Sequence, residues 1–281
     1  MSDGPSQQAA PTVAKVTAKV TAVALAARKG AERVVAVTAY DVSFARLADQ
    51  AGVDIVLVGD SLGMVIQGNA STLPVTLDEM VYHCRAASRG VARAHLVADM
   101  PFMSYQASVE DGMRAAGRLI KEGGAHAVKV EGGVDVAPLV QRLVAAGVPV
   151  MGHVGMTPQS VHAFGGFKVQ GRTPSQREKI LADARAVADA GAYALVIESV
   201  PRQLGAEITQ AVRALTIGIG AGAGCDGQVL VMHDLLGLDP SWKPRFARRY
   251  GHLGEAAQAA FAAYAADVRG GRFPGDDESF E

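Results

Sequence analysis

The chain has 281 residues, of which 49% are hydrophobic and 20% are charged, and its formal net charge is −1. These values are typical of a globular protein, and the balanced charge without a basic face argues against nucleic acid or an anionic membrane as a partner. No apolar run in the sequence is long enough to span a membrane. The two cysteines form no metal-binding or CxxC pattern, so a reducing cytoplasm fits best.

The beginning of the chain predicts a disordered segment followed by a short helix. Residues 1–14 are rich in Ser, Gln, Ala and Pro, a composition that disfavours a packed structure. Lys15 and Lys19 precede an apolar stretch at residues 20–27, which loosely resembles a short signal peptide. We favour the alternative, a helix that covers the floor of the fold, because nothing in the chain indicates a secreted product.

Short β-branched runs then alternate with longer Ala-rich stretches along most of the chain. The runs are nearly continuous in apolar residues, as expected of parallel strands that are covered on both faces. They predict eight strands, at residues 34–38, 54–58, 95–98, 127–130, 148–152, 194–197, 216–218 and 229–232.

The stretches between these strands predict helices, several of which stop at a glycine before the next strand. About eight β/α steps favour a single-domain (β/α)8 TIM barrel over an open doubly wound sheet. Residues 15–281 are therefore expected to form the barrel, its N-terminal helix and C-terminal helices. The predicted helices lie at residues 43–50, 77–89, 109–122, 136–145, 175–190 and 202–214.

Ionisable and polar residues stand where five successive strands end. In a barrel the carboxyl ends of all strands lie on one face, where the active site is built. We therefore expect these side chains to converge despite their wide separation in sequence. In strand order they are Asp60 and Ser61, Asp99, Lys129 and Glu131, His153, and Glu198.

The fourth strand shows the clearest pattern. Strand alternation places Lys129 and Glu131 on one side and Val128 and Val130 on the other. If the valines pack under the helices, the charged pair points toward the barrel axis. Buried charges are costly unless they are paired or bind a ligand. A purely structural ion pair is the alternative, and the acids on the two preceding strands make it the weaker one.

Three of these acids favour a magnesium site. Asp60, Asp99 and Glu131 offer hard oxygen ligands with no cysteine beside them, which favours Mg²⁺ over zinc. A 2-oxo acid could chelate such an ion through its keto and carboxylate oxygens, and chelation would acidify the adjacent carbon. The oxygen set implies a hard metal and leaves the reaction open.

The other polar residues have functional and structural interpretations. Glu198, at the end of an apolar strand, suits a general base, with a salt bridge as the alternative. His153 could relay protons or bond to backbone, and both readings stay open. Ser61 could donate to a substrate carboxylate, whereas no partner supports a nucleophilic serine. The glycines of residues 218–222 could form a phosphate site or a tight loop over the barrel mouth.

Nine strings of the sequence, in order from about residue 30 to the C-terminus, resemble the ketopantoate hydroxymethyltransferase family. Because so many strings match in order, the resemblance covers nearly the whole chain. They are TAYD (38–41), VGDSLGM (58–64), STLPVT (71–76), ADMPF (98–102), VKVEGG (128–133), GHVGMTPQS (152–160), FGGFKVQGR (164–172), GIGAG (218–222) and DGQ (226–228).

The resemblance implies a specific reaction. Members of this family transfer a hydroxymethyl group from 5,10-methylenetetrahydrofolate to 3-methyl-2-oxobutanoate through a magnesium-stabilised enolate. The product, 2-dehydropantoate, leads to pantothenate and coenzyme A. Family members assemble as decamers, so a homo-oligomer is expected. The chain departs from the family pattern in its extended N-terminus and at residues 223–225, which leaves the folate contacts open.

Site roles follow from the matching motifs. Asp60, Asp99 and Glu131 occupy the magnesium positions of the family. Asp60, Asp99, Ser61 and Lys129 are expected to contact the oxo acid, and Glu198 is expected to accept the proton.

Two rival functions remain. The first is a magnesium-dependent enzyme of the phosphoenolpyruvate mutase and isocitrate lyase type, which relies on a reactive loop cysteine. Cys225 lies in the wrong kind of segment for that role, and no equivalent cysteine stands in the loop directly after the fourth strand. The second is a catalytically inactive barrel that binds metabolites, which would be expected to have lost its carboxylates.

Overall fold

Eight parallel strands close into a barrel in chain order, and the (β/α)8 prediction is confirmed. The structure, a computed structural model, describes residues 18–281, so the start at residues 1–14 that was predicted to be disordered lies outside it. The barrel closes where β1 pairs with both β2 and β8. The strands are β1 Val34–Thr38, β2 Ile55–Val58, β3 His95–Asp99, β4 Ala127–Glu131, β5 Val150–Gly155, β6 Ala194–Glu198, β7 Leu215–Ile219 and β8 Gly227–Leu230.

Helices surround the barrel, and several of them begin at a residue whose side chain caps a free backbone N–H group. Thr76 and Thr173 each form a capping box, which sets the start of the helix that follows. The helices are α1 Ala22–Ala26, α2 Val42–Gln50, α3 Leu62–Val65, α4 Leu77–Ser88, α5 Val109–Lys121, α6 Ala137–Ala145, α7 Val161–Phe164, α8 Pro174–Asp189, α9 Arg202–Ala211, α10 Met232–Leu236 and α11 Leu253–Arg269.

Strand alternation separates two apolar cores. Val128 and Val130 of β4 point outward and join the larger core beneath the helices. Ala127 of the same strand points inward and joins a smaller core in the barrel interior. Lys129 and Glu131 continue this inward row and line a cavity at the carboxyl end, as the alternation predicts.

The predicted floor helix is present as α1. Its Leu25 is fully buried, and both Leu25 and the preceding Val20 pack in the interior core. The apolar stretch at the start of the described chain therefore packs against the amino ends of the strands.

Asp226 joins the last two strands to the segment that follows α1. One carboxylate oxygen accepts hydrogen bonds from the backbone N–H and hydroxyl of Thr216, each at 2.8 Å. The same oxygen lies 2.8 Å from Lys29 Nζ. The other oxygen accepts from the backbone N–H of Gly30 at 3.1 Å. These bonds connect β7, β8 and the N-terminal segment at the amino-terminal side of the barrel.

The strands run further toward the site than the apolar runs predict. Asp99, Glu131 and Glu198 lie inside their strands, and His153 lies within β5 instead of at its end. The reason is that backbone pairing continues beyond the last apolar residue, as in the pairing of Asp99 with Lys129.

The C-terminal part carries the long helix α11, which has no buried residue. Phe261 and Tyr264 on this helix are largely exposed. Within residues 18–281, no helix combines the length and the apolar character needed to cross a bilayer.

Candidate active site

A cavity of about 440 Å³ opens at the carboxyl ends of the strands. Its deep end brings together every site residue that the sequence predicts, so their convergence is confirmed as a matter of geometry. These residues are Asp60, Ser61, Asp99, Lys129, Glu131, His153 and Glu198.

Lys129 is the centre of a buried ion cluster. Its Nζ lies 3.1 Å from Asp99 Oδ1 and 3.7 Å from Glu131 Oε1. Burial alone would lower the pKa of Lys129, but the carboxylates of Asp99, Glu131 and Asp60 raise it. The lysine is therefore a permanent cation that balances part of the negative charge.

The three acids respond differently to burial. Desolvation and repulsion from Glu131 and Asp99 raise the pKa of Asp60 well above its ordinary value. Desolvation also raises the pKa of Asp99, despite Lys129. The pKa of Glu131 is lowered, because Lys129 and His153 outweigh its burial. A cation bound among these acids would relieve the repulsion and favour all three charged forms.

His153 links this cluster to Glu198. Its Nδ1 lies 3.0 Å from Lys129 Nζ, and its Nε2 lies 3.3 Å from Glu198 Oε2. Burial and Lys129 oppose a charge on the ring, yet Glu131 and Glu198 raise the pKa of His153 to about 9. The Nδ1 atom therefore faces both Lys129 and Glu131, and the Nε2 atom faces Glu198.

Glu198 lies at the wall of the cavity, where its side chain is 17% exposed. Its backbone carbonyl accepts a hydrogen bond from Met156 N at 2.9 Å. A Cβ atom on the adjacent Gly155 would lie 2.3 Å from that carbonyl oxygen, so only glycine permits this approach. Ser199 then adopts a φ of 47°, a conformation that turns the chain sharply after the acid. The local backbone thus fixes where the carboxylate enters the cavity.

Ser61 and Asp60 are held at the end of β2 by buried partners. The hydroxyl of Ser61 lies 2.8 Å from that of Tyr40, which is buried. The backbone N–H of Asp60 donates to Asp99 Oδ2 at 3.0 Å. The loop after β2 is therefore bonded directly to the acid of β3.

Gln159 is a site residue that the sequence analysis did not single out. Its side-chain amide donates to Asp60 Oδ2 and to the carbonyl of Met100, each at 2.9 Å. Its backbone N–H donates to Glu131 Oε2 at 3.0 Å, and its Oε1 accepts from the Tyr105 hydroxyl at 2.7 Å. One residue therefore orients two of the three acids. It lies within the GHVGMTPQS string that resembles the family, but neither charge nor periodicity distinguishes the residue itself.

The donor set fits a hard cation such as Mg²⁺. Asp99 Oδ1 and Glu131 Oε1 are buried and have no partner with hydrogen-bond geometry among the described residues. Within residues 18–281, however, no group of three His, Cys, Asp or Glu side chains has an arrangement that could hold a metal ion. Magnesium usually takes one or two carboxylates and fills its shell with water and substrate oxygens. The metal roles of the three acids stay a prediction.

The glycines after β7 form a tight loop over the barrel mouth. Gly220 has a φ of +64°, and a Cβ atom there would lie 3.1 Å from the ring of Phe246. The small residue therefore lets the C-terminal segment pack against the end of the strand. Of the two interpretations of residues 218–222, this contact favours the packed loop.

The family profile and the sequence relatives that match this chain carry the same activity in their names. The profile of a family described as ketopantoate hydroxymethyltransferase matches residues 19–276. The "3-methyl-2-oxobutanoate hydroxymethyltransferase" of Anaeromyxobacter sp. (strain K) is 56% identical over 257 residues, covering 90% of this chain and 84% of that protein. The protein of the same name from Moorella thermoacetica is 55% identical over 256 residues, covering 91% of this chain and 95% of that protein.

Solved structures with similar folds come from more distant proteins. Phosphoenolpyruvate phosphomutase from Streptomyces platensis subsp. rosaceus superimposes with a TM-score of 0.61 at 17% identity, covering 93% of this chain and 92% of that one. A 2,3-dimethylmalate lyase of the PEP mutase/isocitrate lyase superfamily gives a TM-score of 0.59 at 18% identity, covering 96% and 93%. At this identity the likeness shows the barrel fold and nothing about the reaction. By the profile match and the sequence relatives, the chain belongs to the ketopantoate hydroxymethyltransferase family.

Proposed function

We propose that this protein transfers a hydroxymethyl group from 5,10-methylenetetrahydrofolate to 3-methyl-2-oxobutanoate, giving 2-dehydropantoate. Its family membership supports this reaction. The observation that carries it is the shared cavity, in which the acids of β2, β3 and β4 face a further carboxylate, Glu198, on β6.

Asp60, Asp99 and Glu131 would hold Mg²⁺. When bound, the ion would withdraw electron density from the ketone of the oxo acid and acidify the neighbouring C–H bond. Ser61 would donate a hydrogen bond to the substrate carboxylate, and Lys129 would balance its charge. The deep end would thus orient the oxo acid and exclude water from it.

Glu198 would accept the proton from the branched carbon of the oxo acid. The electron pair of the broken C–H bond then forms the new bond to the one-carbon unit. Both bonds between that carbon and the folate nitrogens break, and one water molecule supplies the oxygen of the hydroxyl group. The two nitrogens take up the proton released by Glu198 and the remaining proton of the water. His153, between Glu198 and the ion cluster, would position the base through Nε2. These roles rest on geometry and on the family motifs.

Two substitutions test the assignment. Glu198→Gln keeps the shape of the side chain, so we expect magnesium and oxo-acid binding to persist while turnover falls by about 100-fold or more. Asp99→Ala should abolish exchange of the branched carbon's proton, measured by NMR in D₂O. Glu255→Gln, an exposed change on α11, is the matched control. Normal rates in Glu198→Gln would remove this residue as the base, and full exchange in Asp99→Ala would reject the metal assignment.

The same assays separate the rival functions. Proton exchange without any folate-dependent product would favour an enzyme of the phosphoenolpyruvate mutase type. Oxo-acid binding without exchange or turnover would favour an inactive metabolite-binding barrel. Cys84 and Cys225 are both buried, and burial raises the pKa of both thiols, so neither suits a reactive loop cysteine.

We also propose a homo-oligomer, a decamer by family resemblance, in the cytoplasm. The exposed aromatic residues of α11 support the oligomer, because a second copy could bury them. Two buried, unpaired cysteines are what a reducing cytoplasm maintains.

A further inference from the structure

The cavity is larger than its deep end requires. At about 440 Å³ it is in the range of pockets that bind drug-sized molecules, whereas 3-methyl-2-oxobutanoate is a five-carbon acid. The ion cluster at the deep end is almost fully buried. The residues at the outer end are exposed, so the cavity continues from the ion cluster to an open mouth.

The outer end, which we call the vestibule, has a different chemistry. It is lined by the aromatic side chains of Phe167, Trp242 and Phe246, together with the carboxylate of Asp234. Phe167 is 53% exposed and Trp242 is 60% exposed. Flat, accessible aromatic faces beside a cavity are suited to stacking on a planar ring system.

The vestibule walls are fixed by the surrounding chain. Arg249 donates hydrogen bonds to the carbonyl oxygens of Asp239 and Trp242, at 2.7 and 2.9 Å. Phe246 rests against the end of β7 at Gly220. The segment that carries both aromatic residues is therefore held in place over the barrel mouth.

Asp234, on α10, is the polar group of the vestibule. It is half-buried, and its side chain makes no hydrogen bond or ion pair with any residue in the described part of the chain. Arg249 forms no ion pair with it, and the NH2 group of that side chain donates to the backbone carbonyls of Asp239 and Trp242. Burial raises the pKa of Asp234 to about 6, although Arg249 opposes the shift. At neutral pH a partly desolvated carboxylate thus faces the cavity without a donor.

We propose that the vestibule binds the pteridine ring of the folate co-substrate. The ring stacks against Trp242 and Phe246, and Asp234 accepts hydrogen bonds from its ring N–H and the adjacent amino group. These two donors lie side by side, which suits bidentate binding by a carboxylate. This inference rests on the proposed function, because it places the folate beside the oxo acid in one cavity.

The test uses tetrahydrofolate, which lacks the one-carbon unit and cannot turn over. Its affinity is measured by calorimetry on the full chain. We expect Asp234→Asn to weaken this binding about tenfold or more, as for loss of a charged hydrogen-bond partner. Asp189→Asn, an exposed change at the end of α8, should leave it unchanged. Unaltered tetrahydrofolate affinity in Asp234→Asn would overturn the assignment.

Trp242 supplies an independent readout, since it is the single tryptophan of the chain. Tetrahydrofolate should change its fluorescence in the unmodified protein. Trp242→Ala should weaken binding, and Trp242→Phe should restore most of it. Because this side chain is exposed, these variants decide the question even if Asp234→Asn fails to fold. Equal affinity in the two tryptophan variants would exclude stacking and overturn the proposal.

Binding of 3-methyl-2-oxobutanoate with Mg²⁺ reports on the deep end alone. If the unmodified protein fails to bind the oxo acid, the proposed function fails. If it binds the oxo acid but Asp234 and Trp242 do not affect tetrahydrofolate, only the vestibule assignment fails.

Discussion

At the scale of single residues, Gln159 explains why the acids of the site hold their positions. A neutral amide can donate to one carboxylate through its side chain and to another through its backbone, and Gln159 does both. The hydroxyl of its partner Tyr105 also accepts a hydrogen bond from the backbone N–H of Glu131, at 3.1 Å. Gln159 is therefore a positioning residue for the proposed metal ligands.

We predict that Gln159→Met weakens Mg²⁺ binding about tenfold or more, because Asp60 loses a hydrogen bond to a charged oxygen. Calorimetric titration with Mg²⁺ measures this affinity. Thermal unfolding checks that the variant is still folded. Gln106→Ala is the matched control, since Gln106 contacts Gln159 Oε1 but not the acids. Unchanged Mg²⁺ affinity in Gln159→Met would contradict the positioning role.

The sequence could predict the charged site residues but not this amide. Lys129 and Glu131 interrupt an apolar strand, and buried charge demands a ligand or a partner. Gln159 carries no charge and lies in a short 3₁₀ turn, where a glutamine is usually exposed. Nothing in local composition shows that it bridges two strand ends, because that depends on the closure of the barrel.

At the scale of elements, the Asp226 bonds hold β7, β8 and the N-terminal segment together. Burial would raise the pKa of Asp226, but Lys29, Thr216 and Gly30 lower it below its ordinary 3.8. A folded-state pKa below the unfolded value stabilises the protein above that ordinary pKa. The stabilisation disappears as the pH falls through the folded-state value.

We therefore predict that Asp226→Asn lowers the free energy of unfolding by about 2 kcal/mol at neutral pH. The difference from the unmodified protein should shrink below about pH 4. Urea unfolding at several pH values measures both effects, with the exposed Asp135→Asn as control. A difference that persists undiminished in acid would mean that the charge of Asp226 is not responsible.

The strand positions were predictable because the apolar runs are short and separated by glycine stops. Their ends were less so: β5 runs to Gly155, whereas the apolar pattern stops at residue 152. Polar residues interrupt the pattern, but their backbone groups still pair with β6. The hydropathy pattern thus underestimates the length of a strand at the end where the site begins.

At the scale of the whole molecule, α11 is the surface that most needs a partner. Phe261, Tyr264 and Val268 follow one face at helical spacing and are exposed. The Ala-rich helix has no buried residue, which supports the proposed interface between copies of the chain.

We predict that Tyr264→Glu reduces the size of the assembly, because a charge would have to be buried in the contact. Light scattering gives the mass in solution. Ala259→Glu, on the opposite face of α11 by helical spacing, should leave the mass unchanged. An unaltered mass in Tyr264→Glu would place the contact elsewhere.

The buried ion cluster also limits how this protein can change over generations. Lys129 compensates Asp99 and Glu131, so the loss of this lysine leaves uncompensated charge in the interior, at a cost of about 3–5 kcal/mol. A duplicated gene relieved of its metabolic task would therefore not erode gradually into a stable, idle copy. A first mutation of Lys129 would weaken the fold together with the chemistry, and a stable inactive copy would require replacement of the facing acids as well.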